Sequence, residues 1–372
     1  MIPNATQERA EILLKIYSEA EEHLLSIIAK RIGIPDRDVP IWIQLKLSQV
    51  QKVKKELEKA INNLAARSLE ERIKLMWAAH DEGADGLFRE LGIDDEKAAR
   101  SQTTVVLIDD ENQRFSELHR RILRVATDIY RDVLSQSMRF ANMGVETTQQ
   151  AIKRALNAFA DRGITAFTDK AGRHWGMSEY AEMATRTGLM LSSIAGYTQE
   201  ALNHGEDLVI ISDHWDECPL CAQWERAVLS LTGATPGYPT VADARAGGLF
   251  HPNCLHSMTV YVPGLTDTRG SKYGIRTAEQ DATGYSLSQK QRYNERMVRR
   301  WKRRQAVATT PEEERIAKAY VDKWQNNVRQ LIKGTDLPRE YNREGGRVLL
   351  SEAAKKMKPF QISPEGYVIK NK

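Results

Sequence analysis

Side chains able to hold a metal ion crowd into one stretch of the chain. Between Asp213 and Gly264 lie all three cysteines, Cys218, Cys221 and Cys254, and three of the eight histidines, His214, His251 and His256. The stretch reads D-H-W-D-E-C-P-L-C-A-Q-W-E-R and, about thirty residues on, G-G-L-F-H-P-N-C-L-H-S-M. A Cys-x-x-Cys followed at a distance by His-x-x-Cys is the spacing of a four-ligand zinc site with a knuckle at each end of a closed loop. Two ligands separated by two residues bend around one ion, and a tetrahedral set of thiolates and imidazole suits zinc. The expected ligands of a structural zinc are therefore Cys218, Cys221, His251 and Cys254, with His214 and His256 as alternatives. The competing reading is that the cysteines are small buried apolar residues. Their confinement to one segment, in paired spacing, favours ligation. An odd cysteine count and the lack of a signal peptide argue against a disulfide framework.

Catalytic readings of the same residues are weaker. A zinc nucleobase deaminase places His-x-Glu before its Pro-Cys-x-x-Cys pair, the glutamate moving the proton. Here the cysteine pair comes first and His251-Pro252-Asn253 offers no glutamate. His251, Asn253 and His256 suggest a His-Asn-His nuclease, yet they sit too close together for its strand-to-helix metal finger. Cys221 could act as a nucleophile with His251, but its neighbour Cys218 makes ligation the simpler account. The chain carries no phosphate-cradling glycine loop, no Gly-x-Ser-x-Gly elbow and no His-Glu-x-x-His helix.

The elements that must position the knuckles are short strands. Leu208 to Ile211 is apolar and β-branched and leads directly into the first knuckle, while Thr259 to Val262 offers a strand just after the second. The order strand, knuckle, loop, knuckle, strand lets one ion pin a long loop against a small sheet. Most of the remaining chain has the three- and four-residue apolar spacing of helices. Helices are expected from about 6 to 31, over 43 to 64 with an a/d-like seam, and from 68 to 91. Further ones are expected over about 113 to 143, 147 to 163 behind a capping box at Thr147, and 178 to 204 with Ser178 as cap. Residues 101–111 (S-Q-T-T-V-V-L-I-D-D-E) and Ile164 to Phe167 read as extended by their β-branching. The expectation is a mainly helical α+β fold in three consecutive segments. These are a helical N-terminal arm over 1–100, a central domain over 101–265, and a linker, basic hairpin and tail over 266–372.

The charge is unevenly spread. The chain of 372 residues has a net charge of +4 and a mean hydropathy of −0.51. No apolar run approaches the roughly 20 residues of a membrane span, so the reading is a soluble intracellular or assembled protein. Residues 285–305 hold Lys290, Arg292, Arg296, Arg299, Arg300, Lys302, Arg303 and Arg304 against one acid, Glu295. That local charge of +7 leaves −3 for everything else. Tyr293, Met297 and Trp301 recur every four residues, making this an amphipathic basic helix and a candidate DNA contact; an acidic partner or a solvated face is the alternative. Thr310-Pro311-Glu312-Glu313 opens a second helix expected to pair with it through aromatic faces.

Five segments together carry a resemblance: G-I-T-A-F-T-D-K-A-G-R-H-W-G-M-S-E-Y-A-E-M-A-T-R-T, the strand D-L-V-I-I-S-D, C-P-L-C-A-Q-W-E, G-L-F-H-P-N-C-L-H-S-M-T-V-Y-V-P-G, and Q-K-Q-R-Y-N-E-R-M-V-R-R-W-K-R-R. In this order, over about residues 115 to 345, the chain resembles tailed-bacteriophage minor capsid proteins. More narrowly it resembles the phage minor capsid protein 2 family, related in its central part to phage Mu F-like head morphogenesis proteins. The resemblance implies a structural, non-enzymatic protein of the phage head. It would be present in the host cytoplasm during assembly and act near the portal vertex in prohead assembly or DNA packaging and delivery. Portal protein, major capsid or scaffold protein and packaged double-stranded DNA are the implied partners, with no membrane. No catalytic residues carry over. The alternative is a metal-dependent nuclease or head maturation protease.

Overall fold

The computed structural model describes residues 3–33, 40–94, 96–143, 146–168, 172, 174–213, 220–252, 254, 256–266, 278–335, 337–346, 352–357, 361–363 and 368–369. Along these run α1 (Pro3–Ile32), α2 (Pro40–Ser48), α3 (Val50–Leu91), α4 (Gln102–Asn142), α5 (Thr148–Arg162), β1 (Thr165–Thr168), β2 (His174–Gly176) and α6 (Met177–Asn203). There follow β3 (Leu208–Ile211), β4 (Val228–Ser230), α7 (Val241–Ala246), β5 (Met258–Val260), α8 (Ala278–Ala306), α9 (Pro311–Lys333), α10 (Glu352–Lys355), β6 (Gln361–Ile362) and β7 (Val368–Ile369). The fold is mainly helical α+β, as expected. Among the described residues no helix is long and apolar enough to cross a membrane.

The chain divides into two compact units. The first joins Met1–Leu13, Leu69–Arg114 and Glu182–Lys290; the second joins Leu14–Ser68, Phe115–Ala181 and Gln291–Lys372. Each of the three consecutive segments read from the sequence is thus shared between both units.

In the first unit the sheet is β4-β3-β5, antiparallel throughout, and all four residues of β3 are buried. Ile211 pairs with Met258, and the Arg226 N–H donates to the Ile211 carbonyl. Because both outer strands run against β3, the residues just before β4 and just before β5 meet at the C-terminal end of β3. The strands expected on either side of the knuckles are present, and the loop between them also supplies β4 and α7.

Residues 101–111 are a correction. They belong mainly to α4, and burial recurs at Ser101, Thr104 and Glu111 with Val105 and Val106 exposed, which is helical spacing. The β-branched run is overridden because the helix presents one side of itself to the core, and propensity differences between such residues are small. That burial also encloses Glu111, whose carboxyl oxygens have no hydrogen-bond partner among the described residues. Burial pushes Glu111 up to about 7, with Arg72 opposing. A raised acid holds its proton in the folded state between about 4.5 and 7 while the unfolded chain releases it. Stability therefore falls as pH rises through that window. Glu111→Gln should leave thermal melting unchanged near pH 4 and stabilise the protein at pH 8 by about 3 kcal/mol, at about 1.4 kcal/mol per pKa unit. Equal melting shifts at both pH values would refute the assignment.

In the second unit, Val50, Val53, Leu57, Ile61 and Leu64 are all buried, so Val53 fills the gap that Lys54 leaves in the expected seam. Helix α3 runs unbroken from Val50 to Leu91, where the sequence suggests two stretches. Thr147 caps α5 through the expected capping box. Thr310 caps α9 with Pro311 in the first turn. Ser178 is not a cap: it lies within the first turn of α6, and its hydroxyl donates to Glu21 and Glu179. Helices α8 and α9 pair through their aromatic faces as expected, Trp301 stacking on Tyr320 at 3.7 Å and Tyr293 meeting Trp324 edge-on at 5.8 Å. The segment after α9 is no loose tail: Leu337, Arg343 and Glu344 are buried. Much of the expected linker, residues 267–277, lies outside the described residues.

Candidate functional site

Two segments of the first unit converge at the C-terminal end of β3. One is the single-turn 3-10 helix Ala222–Trp224 with Cys221 just before it and Glu225 just after; the other is the approach to β5, with Cys254 and His256. The loop geometry is demanding. Arg226 and Phe250 carry left-handed φ values of 59° and 57°, which non-glycine residues rarely adopt. They flank the segments that carry Glu225 and Cys254.

The ligand atoms of Cys221, Cys254 and His256 all lie within 4.8 Å of one another, and all three residues are buried. The two sulfurs are 3.7 Å apart, and His256 Nδ1 is 3.3 Å from the Cys254 sulfur. The backbone N–H of His256 also donates to that sulfur at 3.4 Å. On the other side of the ring, His256 Nε2 donates to Glu225 Oε1 at 2.8 Å. The hydrogen bond with Cys221 is the main influence holding the Cys254 thiol down to about 4; burial opposes it and His256 reinforces it. Burial works against a charged His256, but its bonds to Cys254 and Glu225 hold it up to about 9. These contacts favour the charged forms of the Cys254 thiol and the His256 ring, with the Glu225 carboxylate behind the ring.

The cysteines also belong to the apolar core, packed with Leu249, Phe250, Met258 and Leu229. Simple hydrophobic filling does not account for a buried histidine and carboxylate beside them, since buried polar groups are costly unless they bond one another. A thiol, imidazole and carboxylate in line also make the skeleton of a cysteine nucleophile. Cys254 is only 4% exposed and His256 5%, and the Cys221 sulfur lies against Cys254, a setting that suits ligation better than attack on a substrate.

Of the residues singled out in the sequence, the structure brings together Cys221, Cys254 and His256. His251 is outside the cluster, half-buried, with Nδ1 donating to the Pro252 carbonyl at 2.7 Å. Cys218 and His214 lie outside the described residues. Glu225 carries no spacing signal and was not anticipated.

The basic helix is largely committed within the second unit. Arg299 donates to Glu179 and to the Arg343 carbonyl, and Lys302 to the carbonyls of Glu344 and Gly346. Arg303 bonds Glu21, the Ala160 carbonyl at 2.8 Å and the Asp161 carbonyl. Arg300 and Arg304 both grip the Asp161 carboxylate with two hydrogen bonds each. Burial acts against the Asp161 charge, but those four bonds hold it down to about 2. Arg292 is half-buried; Lys290 and Arg296 are exposed.

A family model described as phage minor capsid protein 2 matches residues 1–333. One relative, named "Structural protein", is from Lactococcus phage LL-H. It is 28% identical over 236 residues, covering 59% of this chain and 62% of that protein. Another of the same name, from Lactococcus phage mv4, is 34% identical over 117 residues, covering 29% of this chain and 92% of that protein. The chain thus spans about three fifths of the length of the first relative. No solved structure matches.

Proposed function

We propose, from the premise that this chain belongs to the phage minor capsid protein 2 family, that it is a structural component of a tailed-phage head. It is incorporated during prohead assembly close to the portal vertex. The observation that carries this reading is the family match along 1–333, joined by two relatives each named as structural protein. Its partners are then the portal protein and major capsid or scaffold subunits. It resides in the virion after assembly in the host cytoplasm.

Contact with packaged DNA rests on fewer cations than the sequence suggests. Five of the eight basic residues of α8 are engaged with protein groups, which leaves exposed Lys290 and Arg296 as the candidates for phosphate contact. At a log–log salt slope of about −0.9 per phosphate, two contacts give about −2, against about −6 for the seven net charges read from the sequence. The helix is then a minor DNA contact and mainly a structural spine.

The test is chemical cross-linking of purified virions followed by mass spectrometry. This protein should be recovered from the particle with cross-links to portal protein and, if to DNA, through α8. Its absence from particles would overturn the reading as a head component; cross-links only to major capsid protein far from the portal would overturn the placement.

A further inference from the structure

We infer that Cys221, Cys254 and His256 bind a zinc ion and that Glu225 orients the histidine for it. This goes beyond the reading as a head protein and does not depend on it. The first argument is chemical. Two thiolates and an imidazole are the soft, borderline donor set that zinc prefers over the oxygen-loving cations. The second is geometric: the three ligand atoms fall within 4.8 Å of one another, on buried residues at one end of the sheet.

The third argument is Glu225, which separates a metal site from a chance meeting of core residues. A metal-bound histidine characteristically gives its other ring N–H to a carboxylate, which fixes the ring's orientation and strengthens it as a ligand. Here His256 turns Nδ1 to the sulfurs and Nε2 to Glu225, whose side chain is 10% exposed. The His256 N–H to Cys254 Sγ bond adds backbone support for a thiolate at that position. A pair of cysteines that merely filled space would need neither.

The ligand set differs from the spacing read in the sequence, because the histidine is the one after Cys254 and not the one before it. The ion would tie the segment after β3 to the segment before β5. Local folds of this kind draw much of their stability from the metal, since the preformed site is absent in the unfolded chain.

The full-length protein, purified under reducing conditions from zinc-supplemented culture without chelator, should contain about one zinc per chain by elemental analysis. Cobalt substitution should give the visible bands of a tetrahedral site and a sulfur-to-metal charge-transfer band from two thiolates. A third thiolate would identify Cys218, the one remaining cysteine, as a further ligand and would equally support the site. Cys254→Ser should abolish both signals. Because that variant could fail to fold, Glu225→Gln provides the second arm: it should keep the fold by circular dichroism yet lose about 10- to 100-fold in zinc affinity by competition with a chromogenic chelator. The inference is overturned if the protein takes up neither zinc nor cobalt, if Glu225→Gln binds zinc as tightly as the parent, or if zinc persists in a folded Cys254→Ser variant.

Discussion

Replacing either Gly83 or Gly196 with alanine should destabilise the first unit by about 3 kcal/mol or more, although alanine is the better helix former by about 1 kcal/mol. Gly83 lies inside α3 and Gly196 inside α6. A Cβ built on Gly83 would sit 2.0 Å from the Ser193 carbonyl oxygen, and one on Gly196 would sit 2.1 Å from the His80 carbonyl oxygen. The two contacts are reciprocal: each helix presses a glycine against the backbone of the other. The obstacle in both cases is main chain, which cannot rotate aside as a side chain would, so the helices must separate and give up the packing around the crossing. The sign is what decides. Were the close approach absent, both substitutions would stabilise through helix propensity alone. The double variant should cost less than the sum of the singles, because one methyl already opens the crossing that the second would strain. Urea unfolding followed by circular dichroism measures all three; a midpoint for Gly83→Ala equal to or above that of the parent would refute the crossing.

What the sequence made legible follows from range. Leu208–Ile211 announces β3 because its composition is local, and Thr147 with Gln150, or Thr310 with Pro311, announce helix starts within four residues. The aromatic pairing of α8 with α9 was readable because both faces have helical period and the connection is short. Cys221 and Cys254 could be singled out by their spacing, but choosing between His251 and His256 could not be done that way. Sequence spacing treats both as neighbours of Cys254, whereas the register Ile211 to Met258 fixes which one faces the sulfurs. Glu225 was illegible for the same reason: it reaches His256 only because β4 and β5 flank one end of β3. Gly83 and Gly196 gave no signal either, since a glycine inside a helical pattern looks the same whether it meets solvent or another backbone. Charge was the least legible feature. Five of the eight cations of α8 are spent on Glu21, Asp161, Glu179 and the carbonyls near Glu344, each 40 or more residues away, a pairing that no local pattern announces.

That last point supplies the other large effect, Arg303→Met. Arg303 is buried in the second unit, its guanidinium 3.3 Å from Glu21, which is itself only 1% exposed. The Glu21 carboxylate also accepts from the Ile164 backbone N–H at 2.7 Å. Burial raises the Glu21 pKa, and Arg303 is the main group opposing that rise. Removing the arginine takes away the main charge that opposes the burial of Glu21 and strips the Ala160 carbonyl of its donor, a loss in the range of about 3–5 kcal/mol. Glu21→Gln should cost less, because Arg303 keeps the carbonyls of Ala160 and Asp161. The acid left by Arg303→Met holds its proton in the folded state to a higher pH than in the unfolded chain. The variant's deficit should therefore be smaller at pH 5 than at pH 8, where the unfolded chain gains by ionising. Urea unfolding of the parent, both single variants and the double variant at the two pH values gives the coupling directly. The same proteins separate the two readings of α8. If Arg303 is a structural pair, Arg303→Met loses stability while the salt slope of DNA binding stays where it was; a variant as stable as the parent, with a slope shallower by about 1, would mean that the side chain meets phosphate instead.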